Sequence, residues 1–195
     1  SNYKGGFRVN YGLNFEYAKF FADNFKKTYL QGQALTFQTE SAFDLFKWGI
    51  FGQASKELLE KRLVLSFGLR TDANSFNEEM GNLLNQLSPR LSASYLIWDG
   101  FYFNANAGRF YQMPPYTTMG YKDPEGILVN KPVLKYIQSD HLVAGFEYLP
   151  DNESKISIEG FYKKYDRYPF SLNDSISLAS KGADFGLYGD EPVSS

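Results

Sequence analysis

The sequence predicts an all-β protein, an antiparallel up-and-down meander of about seven strands of the membrane-spanning type. Three observations carry this. The chain is 18% aromatic, with 18 Phe, 15 Tyr and 2 Trp among 195 residues, yet its mean hydropathy is -0.39; so aromatic a chain stays polar only if the two kinds of residue are finely interleaved. From Phe7 to Tyr17 the odd positions are Phe7, Val9, Tyr11, Leu13, Phe15 and Tyr17, and the even ones Arg8, Asn10, Gly12, Asn14 and Glu16. That unbroken period of two marks a strand with two unlike faces. The links between segments of this kind are alternately short and long, as in a barrel with turns at one rim and loops at the other.

The first strand is placed near 7–17. The second, near 45–55, sets Phe46, Trp48, Ile50 and Ala54 against Lys47 and Gln53. The third, near 62–72, sets Leu63, Leu65, Phe67 and Leu69 against Arg62, Ser66, Gly68, Arg70 and Asp72. In the fourth, near 90–97, Leu91, Ala93, Tyr95 and Ile97 oppose Arg90, Ser92 and Ser94, and in the fifth, near 101–111, Phe101, Phe103, Ala105 and Ala107 oppose Asn104, Asn106 and Gly108. The sixth, near 141–149, turns Leu142, Ala144, Phe146 and Tyr148 away from His141 and Glu147, and the seventh, near 155–165, Ile156, Ile158 and Tyr162 away from Ser157, Glu159 and Lys163. Placing Ile97 opposite Phe101 brings Tyr95 to Phe103, Ala93 to Ala105 and Leu91 to Ala107 on one face, and Ser94 to Asn104 and Ser92 to Asn106 on the other, so one register satisfies both faces.

The short links lie around Lys56 to Lys61, at Trp98-Asp99-Gly100 and at Pro150 to Ser154; the long ones are about 18–44, 73–89, 112–140 and everything after Pro169. Met80, Leu83, Leu84 and Leu87 fall at helical spacing, which predicts a short helix in the second long link. Leu58 and Leu59 are read as part of a wide turn. No domain boundary is placed, and residues 1–195 are taken as one partial β-barrel domain.

Composition excludes several classes. Net charge is -2, with 20 basic and 22 acidic residues, which is not the basic excess of a nucleic-acid binder. With no Cys and a single His there is no disulfide, no thiolate nucleophile and no multi-histidine metal centre; no cofactor is expected. No apolar run reaches the roughly 18 residues of a membrane helix.

Particular residues resemble a known family. Arg62 to Asp72, then Leu87-Ser88-Pro89-Arg90-Leu91, then Gly108 to Pro115, together with Ser139-Asp140-His141, Gly145 to Tyr148, Glu159 and Tyr162 to Tyr165, are similar in order and spacing to the middle strands of TonB-dependent outer-membrane receptors of the Bacteroidetes type. The resemblance implies a Gram-negative outer-membrane location, a 22-stranded barrel with a plug inside it, and a box that engages TonB. Neither plug nor TonB box is recognised before Phe7, so the chain is expected to be a piece of a longer receptor, and seven strands are too few to close a barrel. Isolated in water, such a piece is expected to self-associate.

The expected function is nutrient uptake without bond chemistry, for a siderophore, vitamin, glycan or peptide ligand; the expected partners are TonB, outer-membrane lipid and that unknown nutrient. On the residues alone, a soluble β-sandwich binding module and a non-transporting surface barrel remain open. Phe110, Tyr111, Tyr116 and Tyr121, with Pro114-Pro115, form an aromatic cluster in the third long link and are the candidate ligand contacts; such residues more often pack their own loop. His141 beside Asp140 invites a catalytic reading, but no Gly-x-Ser-x-Gly accompanies it, and no catalytic residue is assigned. Asn152-Glu153-Ser154 and Asn173-Asp174-Ser175 match the short N-glycosylation pattern without further support.

Overall fold

The computed structural model describes residues 2–3, 6–30, 33–123, 125–151, 153–184 and 191–195, and only the backbone of 2–3, 24–30, 33–40 and 182–184. Asn152 of the first glycosylation pattern lies outside the described residues. Eight strands form one sheet in sequence order, every neighbour antiparallel: β1 (Asn2–Tyr3), β2 (Phe7–Leu30), β3 (Gln33–Leu58), β4 (Leu63–Asn74), β5 (Ser88–Trp98), β6 (Phe101–Gln112), β7 (Ile137–Tyr148) and β8 (Ile156–Asp166). The seven long members are the seven predicted strands. A separate pair joins β9 (Phe170–Ser171) to β10 (Val193–Ser194). Among the described residues no helix is long and apolar enough to cross a membrane.

The largest correction concerns residues 18–44, read as a long loop. Here β2 and β3 continue as one hairpin whose ladder runs from Phe7 opposite Lys56 to Leu30 opposite Gln33. The alternation persists past Tyr17 but changes sense. Ala18 and Phe20 now carry the apolar face, while Lys19 shares the other face with the exposed Phe21. Read with one fixed parity, the segment looks patternless.

Two turns also differ in detail. The β3–β4 connection is a tight turn at Leu59, Glu60 and Lys61, all with positive φ, closed by Arg62 N donating to Leu59 O at 3.0 Å; it is narrower than the wide turn expected, because β3 runs on to Leu58. In the β5–β6 hairpin the pairs from Leu91 with Ala107 to Tyr95 with Phe103 stand as predicted. Ile97, however, is bulged out, and Trp98 takes the place opposite Phe101, stacked at 4.2 Å between ring centroids. The expected helix in the second long link is one short turn, α1 (Glu78–Gly81), followed by a 3-10 turn at Leu83–Gln86. Asn77 and Asn82 cap the two pieces with their side-chain oxygens, which splits the run that the leucine spacing joined.

The two faces of the sheet meet different surroundings. On the apolar face Tyr11 is 83% exposed, Phe15 79% and Ile158 73%, so the described residues do not cover this face, as the second sheet of a sandwich would. The buried core lies at the long-loop end instead: Leu45, Phe76, Met80, Met119, Leu134, Tyr136, Leu178 and Val193 pack together. It is assembled from the inner face of the β2–β3 hairpin, α1, α2 (Tyr116–Met119), the segment before β7 and the segment around β10. Asn130, fully buried, ties these pieces: its Nδ2 donates to Thr118 O and Glu191 O at 2.8 Å each, and its Oδ1 accepts from Val193 N at 2.9 Å.

Candidate functional site

Where the polar face of β2, β3 and β4 runs up against the loop core, the register gathers charged residues that are remote in sequence. Glu16 stands opposite Lys47, which stands opposite Asn74; one row nearer the short turns, Asn14, Gly49 and Asp72 are aligned. Above them lie Met113, Pro114, Pro115 and Tyr116, and the result is a cavity of about 470 Å³ with Tyr111 and Tyr136 in its lining.

Its polar groups are held in pairs. Lys47 Nζ lies 2.5 Å from Glu16 Oε1 and donates to the Tyr116 hydroxyl at 3.1 Å. Arg70 grips Asp72 with both ends of its fork, at 2.6 and 2.8 Å, the bidentate geometry that fixes a carboxylate's direction. Asn74, fully buried, donates to the Tyr136 hydroxyl at 2.9 Å and accepts from Phe76 N at 2.9 Å. Burial pushes the Tyr136 hydroxyl up to about 12, outweighing the hydrogen bond from Asn74, so it stays neutral. Gly49 matters by what it lacks: a Cβ there would collide with Asp72 Oδ1 and Asn14 Oδ1, so a side chain would fill the cavity floor.

The four aromatic residues singled out from the sequence do not act together. Tyr111, at the end of β6, and Tyr116, at the start of α2, line the cavity. Tyr116 also packs on Phe20 and Phe43, at 5.4 and 5.9 Å between centroids, which fixes its hydroxyl beside Lys47. Phe110 lies one row below, between the Arg90 guanidinium at 4.4 Å and the His141 ring at 4.7 Å. Tyr121 is outside the cavity lining, its carbonyl accepting from Val129 N. Sequence reasoning missed Glu16, Lys47, Arg70, Asp72 and Tyr136 as one group. The only signal for it was polar-face parity combined with the register of three strands. A second, open cleft of about 770 Å³ lies among Asn77, Asn82, Asn85, Leu128 and Lys131, on the loops alone.

Ser139 Oγ and His141 Nε2 are 2.6 Å apart on the polar face, whereas the Asp140 carboxylate, on the opposite face, is bound by Arg109 at 2.7 and 3.0 Å. Adjacent strand residues point apart, so these three side chains do not converge.

A family model described as TonB dependent receptor-like, beta-barrel matches residues 1–188. No curated protein matches the chain. The match spans nearly the whole sequence. It agrees with a sequential antiparallel meander, short turns at one rim and an apolar face left open to its surroundings. The chain therefore belongs to the TonB-dependent receptor-like β-barrel family, as a stretch of the wall of an outer-membrane receptor.

Proposed function

We propose that this wall segment supplies part of the capture site of a nutrient importer, and that the ligand is taken up whole, without bond chemistry, on energy delivered through TonB. One observation carries the reading: the cavity lies between the polar face of β2 to β4 and the long-loop end of the sheet, which on this reading is where a ligand entering between the loops first meets the barrel wall. Its charged groups balance, Glu16 and Asp72 against Lys47 and Arg70. Tyr111, Tyr116 and the two prolines add apolar and hydroxyl surface. That lining suits a ligand with both donors and acceptors and no large net charge. The separation of Asp140 from Ser139 and His141 supports transport over hydrolysis, since a triad needs its three groups in one place.

The test uses the full-length receptor that carries this segment and a panel of an iron siderophore, cobalamin, a neutral oligosaccharide and an oligopeptide, each offered separately. Gly49→Val, which fills the floor, is expected to lower binding of the accepted compound at least tenfold while the barrel still inserts. Loss of TonB is expected to abolish its uptake and leave its binding in place. Unchanged binding in Gly49→Val removes the cavity from the site, and TonB-independent uptake rejects the energy coupling.

A further inference from the structure

Toward the short turns from the candidate cavity, and sharing Arg70 with its lining, the polar face carries a smaller depression. Its row reads Gln53 on β3, Gly68 on β4, Arg90 on β5 and Gly108 on β6, each opposite the next. The next row on the same face sets Phe51 opposite Arg70, and Arg70 opposite Ser88. Phe51, Gln53, Gly68, Arg70 and Arg90 line a space of about 120 Å³. Sites that take up a whole drug-sized ligand start near about 300 Å³, so this one has room for a single functional group. Gly68 is its floor. A Cβ there would meet only ordinary contacts, 3.7 Å from Gly52 O and 3.8 Å from Gln53 Cβ, and a longer side chain would stand up into the space.

The donors around the depression are held in place and largely unused. Arg70 grips Asp72 through Nε and Nη2, at 2.6 and 2.8 Å, which leaves the N–H groups of Nη1 over. The Arg90 guanidinium lies over the Phe110 ring at 4.4 Å, and its Nε donates to Ser88 Oγ at 3.4 Å. Among the described residues Arg90 makes no ion pair, and neither its two terminal nitrogens nor the Gln53 side-chain amide has a hydrogen-bond partner. Asp72 neutralises Arg70, and none of the lining residues is acidic. The depression therefore retains one uncompensated positive charge, with donors arriving from β3, β4 and β5.

We infer that this depression is a binding site for one tetrahedral oxyanion, a phosphate or sulfate group, free or carried as an ester on a larger molecule. Charge and geometry carry the assignment together. A planar carboxylate is satisfied by a single guanidinium fork, as Asp72 is by Arg70. Donors converging from three strands are matched instead by oxygens that lie in more than one plane. The aromatic ring beneath Arg90 holds its guanidinium ready, so little side-chain freedom is lost when the anion arrives. The inference rests on the depression alone and stands whether or not the cavity above binds nutrient.

Equilibrium dialysis of the full-length receptor in nonionic detergent, with radiolabelled inorganic phosphate at low chloride, tests it. Saturable binding is expected, displaced by sulfate and not by glucose or acetate at the same concentration. Displacement by glucose 6-phosphate assigns the site to an ester; without it, the free ion is the ligand. Arg90→Gln and Gly68→Leu, the second of which fills the floor with both cations kept, are each expected to lower the affinity at least tenfold. Lys163→Gln, on the same row but three strand intervals or about 14 Å from Arg90, is expected to leave it unchanged. Heat-dependent mobility in SDS gels confirms barrel folding; should Gly68→Leu fail to fold, the contrast between Arg90→Gln and Lys163→Gln decides. Absence of saturable binding, equal displacement by acetate, or an equal loss in Lys163→Gln and Arg90→Gln, which is the mark of a diffuse field, overturns the inference.

Discussion

In the wall, Tyr11, Phe15 and Ile158 stand mostly exposed on a sheet of one residue's thickness, whereas in the loop layer Met80, Met119, Leu134 and Leu178 are wholly buried among one another. Both regions come from the same strands: β2 and β3 cross from one to the other without a break. The wall is stabilised by its backbone ladder and by lipid, which satisfies apolar side chains and leaves no alternative to paired backbone groups. The loop layer sits in water and needs its own hydrophobic core. The two regions should therefore respond to opposite kinds of substitution.

The largest effect is expected at the loop core. Leu134→Ala removes a fully buried side chain and should cost about 2 to 5 kcal/mol of loop-layer stability. Proteolysis of intact cells should show it as cleavage within residues 113–136, while the folded barrel persists in SDS gels. Simultaneous loss of the barrel would mean that the two regions form one cooperative unit.

The wall should show the reverse. Leu13 lies at the middle of the β2 apolar face and is 66% exposed from its own chain, so most of its side chain is left to meet lipid. Leu13→Arg places a charge in hydrocarbon and should cost about 2 to 4 kcal/mol in reversible folding into vesicles. A soluble side chain at that exposure would tolerate Arg within about 0.5 kcal/mol, so a neutral outcome would reject the lipid-facing assignment.

The difference between the regions also explains what the sequence disclosed. From Phe7 to Tyr17 one face meets lipid and the other the lumen, so alternation is complete and legible. Past Tyr17 the outer face enters water and the inner face meets loops, so the apolar residues move from odd to even positions, and a reading with one parity stops there. Met80 is buried, but Leu84, at the same helical spacing, is 73% exposed, so that spacing described two short turns rather than one helix face. The core partners Leu178 and Val193 carry no local pattern at all; Val193 is seated by its long-range hydrogen bond to Asn130, and Leu178 by its own N–H donating to Pro169 O. In the candidate site, two aromatics were legible as a cluster within one loop. The pairs Glu16 with Lys47 and Arg70 with Asp72 needed the strand register.

The loop core contains a group that reports on it through pH. Tyr136 ionises near 10.0 when free and at about 12 in the folded loop layer. The folded state therefore favours the neutral hydroxyl. The sign follows: this stabilisation is complete below pH 10, declines as pH rises through the interval to 12, and amounts to roughly 3 kcal/mol at most. Loop protection measured by proteolysis should fall across that interval, and Tyr136→Phe should flatten the fall. An equal decline in the variant would assign it to other groups.

The smallest effect is expected at the boundary between the two regions, and it locates that boundary. Arg109 and Asp140 face each other on the outer side of β6 and β7, just past the apolar run of Phe101, Phe103, Ala105 and Ala107, with side chains 43% and 38% exposed. On the neighbouring strand Lys164 occupies the same outward row. An ion pair this exposed to water contributes less than about 1 kcal/mol even when bidentate, and salt screens it further. Asp140→Asn should thus lower barrel stability in vesicles by less than about 1 kcal/mol, with most of the difference gone at 1 M salt. A loss of about 3 kcal/mol or more, insensitive to salt, is what removal of one partner from a desolvated pair produces. That outcome would place the pair inside the hydrocarbon, raise the upper limit of the lipid band by at least one row, and extend the wall at the expense of the loop layer.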